Sequence, residues 1–394
     1  MTTRTQVPVY DPDLYSADAI RTPHPHYARL RELGPVVRLR GQKAYALPRY
    51  SECRAALLDP DSFLSGEGVA LNPVANRLSR GTTLSSDGDD HARRRALVAH
   101  RLTPRALRAM TETVEQQAVE VVDAAVAQQR VDGVELATAL PMAVVPDLVG
   151  WPQEGRAHLL RWAGATFDAL GPLNRRSVRT APASLGMLRF ARRVVRDRSA
   201  PEGSLGHDVL RAADEGRFPH AECPAMMIDY LAPSLDTTIS AISTALHLFA
   251  AHPDQWRALR EDPGLIPNAV NEVVRFESPL RAFARRTARD VELSGTLVPE
   301  GSRVLIVYAS ANRDPREWED PDTFDVRRNA ARQLGFGYGA HGCAGQGLAR
   351  METQAVLRAL AERVERIEPA GTPEWALNNI IRRFERLPLR LVPA

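Results

Sequence analysis

The stretch "FGYGAHGCAGQGLAR", Phe336 to Arg350, sets one histidine and one cysteine among glycines near the end of the chain. Apolar residues recur at three- and four-residue spacing over residues 347–367, which predicts a helix that begins just after Cys343. A thiolate at that place is stabilised by backbone N–H groups and by the positive end of the helix. The pattern therefore favours a cysteine that acts as a thiolate ligand.

The glycines of this loop indicate close approach to something flat. Gly337, Gly339 and Gly342 let the backbone turn tightly where any Cβ would collide with a ligand, and Gly345 extends that approach into the first helical turn. Two other interpretations are a buried structural cysteine in a glycine-rich turn and a phosphate-binding loop. The phosphate loop lacks the lysine or GKS/GKT ending that it requires.

The loop resembles the haem-binding loop of the cytochrome P450 superfamily at every position that the family pattern specifies. The matching residues are Phe336, Gly337, Gly339, His341, Cys343, Gly345, Leu348, Ala349 and Arg350. The resemblance implies a mainly α fold with small β-sheets, a triangular helical prism with a long central helix over the haem. It also implies haem b, iron protoporphyrin IX, as the cofactor, with Cys343 as the metal ligand and Phe336, Gly337 and Gly345 in contact with the haem.

Amino-acid composition limits the possible architectures and binding partners of the protein. The 394 residues are 44% hydrophobic and 25% charged, with a formal net charge of +3, as is typical of a soluble globular protein. Helical patterns dominate, strand-like runs are short, and no repeat or linker interrupts the chain. We therefore expect a single domain over residues 1–394. Arginine clusters alternate with acidic residues, which argues against nucleic-acid binding.

The sequence also predicts a cytoplasmic location. The N-terminal stretch "MTTRTQVPVYDPDLYSADAIRTPHPHY" has no apolar segment typical of a signal peptide or anchor. Residues 237–253 are too short and too polar to span a bilayer comfortably. Cys53, Cys223 and Cys343 are odd in number and unevenly spaced, which argues against disulfides and against a structural zinc site.

Further motifs supply groups that a haem needs, because its two propionates require cationic partners. The run "HARRR" resembles the His-x-x-x-Arg element of the family and makes His91 and Arg95 candidates. Arg285 in "FARRTARDVEL" and His341 within the cysteine loop complete the candidate set. Taken singly, each arginine is more often a solvated surface charge.

The run "NEVVR" matches the Glu-x-x-Arg element of the family and places Glu272 and Arg275 on one helical face. Arg328, in the downstream run "ANRDPREWEDPDTFDVRR", is expected to complete a buried Glu–Arg–Arg network. This network is a fold element rather than a catalytic one. With it, the resemblance extends from about "TPHPHYARLRELGPV" to the C-terminus.

The central helix is expected to carry the residues of oxygen chemistry. The family places an acid–alcohol pair there for proton delivery, and Asp236 and Thr237 occupy its positions. Alternatively, the two residues merely face solvent or bond locally. The family's preceding Ala-Gly is replaced by Pro233 and Ser234, which fill the oxygen groove. Pro233 cannot donate a hydrogen bond to the carbonyl of Asp229 and predicts a kink.

Several stretches, including "ELGPVVRL" and "RFESPLRAFAR", look like the bacterial subgroup that oxidises para-substituted benzoates. In that subgroup an arginine and hydroxyl groups hold the substrate carboxylate, and Arg80 and Thr83 are the corresponding candidates. Asp229 disagrees with this assignment because it repels a carboxylate. Position in the family pattern adds further substrate-contacting candidates, which are Asp229, Pro233, Phe167, Leu280, Phe283 and Ile380. The last four could equally belong to the hydrophobic core.

The resemblance thus implies a monomeric haem-thiolate monooxygenase that hydroxylates or O-demethylates a small aromatic or natural-product substrate. Its electrons are expected from a ferredoxin with an NAD(P)H-dependent reductase, attracted by the arginines of "HARRRALVAHR". Two alternatives stay open. The first is a non-hydroxylating oxidation in secondary metabolism, because the altered Pro233-Ser234 groove is compatible with either outcome. The second is a haem sensor or carrier without turnover, which would have no use for a proton relay. A peroxide-driven relative would normally lack the acid–alcohol pair.

Overall fold

The computed structural model of the protein describes residues 7–394, so the first six residues of the N-terminal stretch considered above lie outside the described part. Within that part the α-helices are, in chain order, α1 (Ala17–Arg21), α2 (His24–Leu33), α3 (Tyr50–Leu58), α4 (Pro73–Leu78), α5 (Gly88–Ala99), α6 (Pro104–Arg108), α7 (Thr111–Gln128), α8 (Gly133–Val149), α9 (Gln153–Arg156), α10 (Leu159–Leu170), α11 (Arg175–Arg196), α12 (Leu205–Asp214), α13 (Cys223–Ala251), α14 (Pro253–Glu261), α15 (Ile266–Phe276), α16 (Tyr308–Ala311) and α17 (Gln346–Arg363).

The strands are short. They are β1 (Val9–Tyr10), β2 (Val37–Leu39), β3 (Ala44–Leu47), β4 (Phe63–Leu64), β5 (Arg130–Asp132), β6 (Phe283–Thr287), β7 (Val291–Leu293), β8 (Thr296–Val298), β9 (Arg303–Ile306), β10 (Val364–Pro369), β11 (Glu374–Trp375), β12 (Phe384–Arg386) and β13 (Pro388–Pro393). A six-stranded mixed sheet has the order β1-β2-β3-β9-β6-β4, and a three-stranded sheet has the order β10-β13-β5. Two further pairs, β7 with β8 and β11 with β12, complete a mainly helical fold with small sheets.

The central helix is α13. It begins at Cys223, with Pro224 in its first turn, where a missing backbone N–H costs nothing. It ends at Ala251, and Pro253 then opens the next helix. Most of its residues are buried, because α8, α10, α11 and α17 all pack against it. None of the helices in residues 7–394 combines the length and the apolar character that crossing a membrane requires.

The Glu–Arg–Arg network forms as the sequence predicts. Glu272 and Arg275 of α15 have no exposed surface, and two hydrogen bonds of 2.7 and 2.8 Å join the guanidinium to the carboxylate. The Nε of Arg328 lies 3.3 Å from Glu272 Oε1. A buried charge is tolerated only with partners of opposite charge and complete hydrogen bonding. The network therefore fixes α15 against the segment that carries Arg328.

This network also reaches the cysteine loop. Arg275 Nη1 donates to the carbonyl of Asn312 at 2.9 Å, and the side-chain oxygen of Asn312 accepts the N–H of Leu334 at 2.7 Å. The N–H of Gly337 then donates to the carbonyl of Leu334 at 2.8 Å. Three successive hydrogen bonds thus connect the buried guanidinium to the start of the loop that carries Cys343.

We predict that Glu272→Gln lowers the free energy of unfolding by about 3–5 kcal/mol, because it leaves the buried Arg275 without its charge partner. The matched control is Glu115→Gln, which breaks an exposed Glu115–Arg358 pair of 2.9 Å and should cost about 0–1 kcal/mol. Urea denaturation of both variants measures the difference. Equal losses in the two variants would contradict the role assigned to the network.

Candidate functional site

An interior cavity of about 730 Å³ lies between the central helix and the cysteine loop. Its wall is formed by α4 and the loop that follows it, by α5, α10, α11 and α13, by β6, and by the loop and helix on either side of Cys343. Most of this wall is apolar. The cavity collects most of the site residues that the sequence predicts, and they come from segments more than 250 residues apart along the chain.

The cysteine loop makes its tight turns at glycines. Gly337 and Gly339 have φ values of 68° and 65°, which lie in the left-handed region that favours glycine. The N–H of Cys343 closes the loop by donating to the carbonyl of Phe336 at 2.7 Å. A Cβ on Gly339 would lie 2.3 Å from the carbonyl oxygen of Leu57. The close approach at Gly339 is therefore to α3, not to a flat ligand as expected.

Cys343 has accessible surface, and that surface faces the cavity whose wall it helps to form. Removal from bulk solvent raises the pKa of its thiol, while the backbone N–H groups of Gly345 and Gln346 and the charges of Arg95 and Arg350 act in the opposite direction. The helix α17 begins at Gln346. The predicted donors to a thiolate are thus in place.

The four predicted propionate partners line one end of the cavity. His91 and Arg285 are 7% and 3% exposed, and the ring of His91 lies 4.2 Å from that of His341, centroid to centroid. Arg285 makes a hydrogen bond of 2.8 Å to the carbonyl oxygen of Ala284, not to a carboxylate. The Nε2 of His91 is buried and has no hydrogen-bond partner among residues 7–394.

Charge at this end of the cavity comes from the arginines rather than from the imidazoles. Burial, with further contributions from His341 and Arg95, lowers the pKa of His91 to about 4. Burial also lowers the pKa of His341, against the influence of Asp87. Both rings are therefore neutral hydrogen-bond donors at neutral pH, which corrects the expectation that all four groups are cationic.

These residues fit a haem. The unpartnered Nε2 of His91 and the buried guanidinium of Arg285 can each donate a hydrogen bond to a ligand. Arg95 adds a second cation to the cavity lining. Two carboxylates that are removed from water require two cations and several donors, which is what this set supplies. Cys343, the predicted ligand, lines the same cavity, and Phe336 and Gly345 also belong to its wall.

The central helix lines the cavity with hydroxyl groups. Thr237 Oγ1 donates to the carbonyl of Pro233 at 2.6 Å, and Ser234 Oγ donates to the carbonyl of Tyr230 at 2.7 Å. A Cβ on Gly345 would lie 3.9 Å from Ser234 Oγ, so the serine faces the cysteine loop. The helix continues through Pro233 as one element.

Asp236 lies on another side of the helix, outside the cavity lining. Its side chain is almost fully buried, and its Oδ1 lies 3.3 Å from Arg383 Nε, whereas its Oδ2 has no hydrogen-bond partner. Burial raises the pKa of Asp236, and Arg383 opposes the shift. Sequence analysis missed Arg383 because it stands 147 residues downstream of Asp236, in the run "IRRF", and nothing in the sequence indicates that the two residues meet.

The predicted substrate contacts divide into two groups. Phe167, Leu280 and Phe283 line the cavity as expected. Ile380 is buried in a hydrophobic cluster and does not contribute to the lining. Arg80 is exposed in the turn after α4 and also lies outside the lining, so it is not brought together with Thr83 to hold a carboxylate.

Asp229 and Thr83 meet at the polar end of the cavity. Asp229 Oδ2 accepts the backbone N–H of Thr83 at 2.7 Å, and the hydroxyl groups of Thr83 and Tyr230 are 3.0 Å apart. Burial raises the pKa of Asp229 to about 6, although hydrogen bonds from Thr83 lower it. A carboxylate therefore stands where the subgroup resemblance predicted a carboxylate-binding site.

The arginines of "HARRRALVAHR" are mostly engaged. Arg94 is buried and lies 2.9 Å from Glu222, and Arg101 lies 2.7 Å from Asp208. Exposed arginines stand instead on α6, at positions 105 and 108, and α6 packs against α17. The positive surface expected near the cysteine loop is thus supplied by α6 more than by the predicted run.

Known proteins resemble this chain over nearly its full length. The family model described as "Cytochrome P450" matches residues 264–378. Cytochrome P450 CYP199A2 of Rhodopseudomonas palustris is 39% identical over 98% of this chain and 95% of its own. The 6-deoxyerythronolide B hydroxylase of Saccharopolyspora erythraea is 33% identical over 98% of this chain and 99% of its own. The crystal structure of epothilone D-bound cytochrome P450epoK has a TM-score of 0.87 and 27% identity, covering 98% of this chain and all of that one (100%).

Proposed function

This chain belongs to the cytochrome P450 family, and we propose that it oxidises a small, largely apolar aromatic or natural-product substrate with electrons from a ferredoxin. It is a monooxygenase with haem b as its cofactor. When bound, the haem activates O₂, so that with two electrons and two protons one oxygen atom enters the substrate and the other leaves as water. The observation that best supports the proposal is that Cys343, the propionate partners and Thr237 line one cavity.

In the proposal, the sulfur of Cys343 holds the iron, and the N–H groups of Gly345 and Gln346 stabilise the negative charge on the sulfur. Arg95 and Arg285 neutralise the propionates, while His91 and His341 donate hydrogen bonds to them. Phe167, Leu280 and Phe283 exclude water from the substrate and hold its apolar body. During turnover, none of these groups forms or breaks a covalent bond with the substrate.

Asp236 and Thr237 are proposed to deliver the protons. The hydroxyl proton of Thr237 is held on the carbonyl of Pro233, and its oxygen is free to accept from a water in the cavity. Asp236 lies on the Arg383 side of the helix, where the 25% exposed side chain of Arg383 meets solvent. A proton taken up by Asp236 on that side passes to the Thr237 side when the carboxyl group rotates.

A non-hydroxylating oxidation is the second candidate, and Ser234 favours it. Its hydroxyl faces Gly345 beside Cys343, where the common family pattern has a glycine. A hydroxyl there reshapes the space in which substrate and O₂ meet. The two candidate reactions differ in their products, not in the groups that hold the cofactor. The product ratio of a Pro233→Ala, Ser234→Gly double variant therefore distinguishes them.

The ferredoxin is proposed to dock beside α6 and the start of α17. Arg105 and Arg108 are exposed there, and Leu107 of the same helix packs close to Gly347 of α17. Arg54, over the ring of Tyr338 at 4.9 Å, adds a further cation next to the cysteine loop. An acidic partner is attracted by such a surface, and salt screens the attraction.

We predict that Cys343→Ser abolishes the thiolate-type absorbance spectrum of the reduced, CO-bound protein while leaving the protein folded. Loss of the sulfur removes the axial ligand but no part of the core. Cys53→Ser is the matched control, because Cys53 is buried in α3, outside the cavity lining, and should keep the spectrum. A Cys343→Ser protein with an unchanged spectrum would refute the ligand assignment.

Asp236→Asn is predicted to slow turnover by about 100- to 10,000-fold, as expected for loss of a general acid. Thr237→Ala should instead divert electrons to peroxide or water. Thr238→Ala is the control, because Thr238 also lines the cavity but belongs to no predicted relay. NADH consumption, peroxide and product are measured together in each variant. If Asp236→Asn kept the parental rate while the Pro233–Ser234 replacement abolished it, the relay would run through Ser234.

Replacing Arg105 and Arg108 together by glutamine is predicted to reduce turnover at limiting ferredoxin by roughly two- to tenfold at low salt. The difference from the parent should shrink as ionic strength rises. The control replaces Arg175 and Arg179, two exposed arginines of α11, and should behave as the parent. Turnover of the parent that is independent of ionic strength would contradict electrostatic docking.

A further inference from the structure

We infer that the substrate carries a planar or compact cationic group, such as an amidinium or a protonated amine, that binds Asp229 at the polar end of the cavity. This inference rests on the proposed function, since it takes the cavity as the substrate site. It specifies the chemical class of the substrate, and it reverses the charge expected from the resemblance to benzoate-oxidising relatives.

At the polar end of the cavity, neighbouring groups fix the position of Asp229. Asp229 lines the cavity and is fixed by the N–H of Thr83, which donates to its Oδ2 at 2.7 Å. Two hydroxyl groups lie next to this carboxylate in the cavity lining, those of Thr83 and Tyr230, which are 3.0 Å apart. These hydroxyls accept hydrogen bonds as readily as they donate them. A ligand group rich in N–H donors finds acceptors here on several sides.

The formal charges that line the cavity do not balance without a cation. Among the described lining residues, the groups that carry a formal charge are Arg95, Arg285 and Asp229, and Cys343 adds a thiolate when it binds the haem iron. Both histidines are neutral, as argued above. The two arginines offset the two haem propionates, and the thiolate is offset by the ferric porphyrin. Asp229 is then left as an uncompensated negative charge in an apolar cavity.

An uncompensated buried carboxylate is costly, and a cationic ligand removes that cost. Burial has already raised the pKa of Asp229 to about 6, so the group is mainly ionised at pH 7.5 but only weakly stabilised. A cation within hydrogen-bonding distance stabilises the ionised form, whereas a substrate carboxylate adds a second like charge. Cationic ligands are therefore favoured over neutral ones, and neutral ones over anionic ones.

The arginines of residues 7–394 near this end of the cavity are already assigned to other partners. Arg95, whose charge also acts on Tyr230, is one of the two arginines that offset the propionates. Arg80, the residue expected to bind a substrate carboxylate, is exposed outside the cavity lining. Arg94 is the arginine whose charge acts on Asp229, but it is buried and lies 2.9 Å from Glu222 and 3.7 Å from Asp90. Its charge is thus already matched by two carboxylates.

The position of Asp229 also fits a short aromatic body. Asp229 and Thr237 are eight residues apart on α13, which corresponds to about 12 Å of helix rise. A benzene ring with one substituent at each end fills most of that distance between the carboxylate and the Thr237 level. The apolar side chains of Phe167 and Phe283 line the cavity and provide contacts for the ring.

Three isosteric probes test the inference on the holoenzyme: 4-ethylbenzamidine, 4-ethylbenzamide and 4-ethylbenzoate. They differ in charge but hardly in shape, and the protonated amidine is a poor ligand for iron, so direct coordination does not confuse the result. Dissociation constants come from isothermal titration calorimetry and from the haem spin-state shift, without turnover. We expect the amidinium to bind at least 10-fold more tightly than the amide, and the carboxylate to bind most weakly.

Asp229→Asn removes the charge and keeps an oxygen that can accept the N–H of Thr83. It should weaken amidinium binding at least 10-fold, strengthen carboxylate binding, and change amide binding by less than about twofold. The matched control is Asp123→Asn, an exposed carboxylate on α7 that does not line the cavity, and it should leave all three constants unchanged. Asp229→Glu, which keeps the charge, should retain the preference for the amidinium.

Two results would overturn the inference. In the first, the parent binds 4-ethylbenzoate as tightly as the amidine or more tightly. In the second, Asp229→Asn weakens all three probes equally, which would mean that Asp229 only holds the loop at Thr83. Because binding is measured without turnover, the preference for the amidinium can hold in a protein that fails to oxidise anything. That outcome would refute the proposed function but not the inference about charge.

Discussion

A guanidinium with no access to water determines how the cysteine loop is held. Arg275 has no exposed surface, so each of its donors must find an acceptor inside the protein, and Glu272 must carry the matching charge. One of those donors binds the carbonyl of Asn312, whose side chain in turn fixes the N–H of Leu334. The requirement to satisfy one buried cation thereby positions a loop that is more than fifty residues away along the chain. Cys343 depends on this arrangement although it touches none of its members.

A second constraint is the neutrality of the cavity. Burial lowers the pKa of His91 and raises that of Asp229, so each group is moved toward its uncharged form. The arginines supply the positive charge of the cavity, which makes them the groups that need an anion. Asp229 is the group that needs a cation. The same physical rule underlies both proposals, in which the arginines hold the cofactor carboxylates and Asp229 binds a cationic group of the substrate.

The sequence predicts those parts of the site that depend on local pattern. Cys343 and the Glu272 network lie in short motifs whose spacing fixes their geometry, and the structure places them as expected, whereas Gly339 approaches α3 rather than a ligand. Arg80 and Arg383 could not be placed in this way, because their positions depend on how a turn and a strand end pack against distant helices. For Asp236 the helix was predicted, but the side of the helix on which the carboxyl group lies was not. The carboxyl group of Asp236 lies on the side of the helix where Arg383 can pair with it.

The central helix contains a proline, Pro233, and nevertheless continues as one helix. Proline removes a backbone N–H, yet the helix continues, and the hydroxyl groups of Ser234 and Thr237 donate back to carbonyls one turn earlier. Since each hydroxyl proton is committed to the backbone, the oxygens present lone pairs to the cavity. The groove thus offers acceptors, which favour a bound water, rather than a proton ready to leave. In the proposed relay, the proton is therefore supplied from the opposite side of the helix, where Asp236 lies 3.3 Å from the partly exposed Arg383.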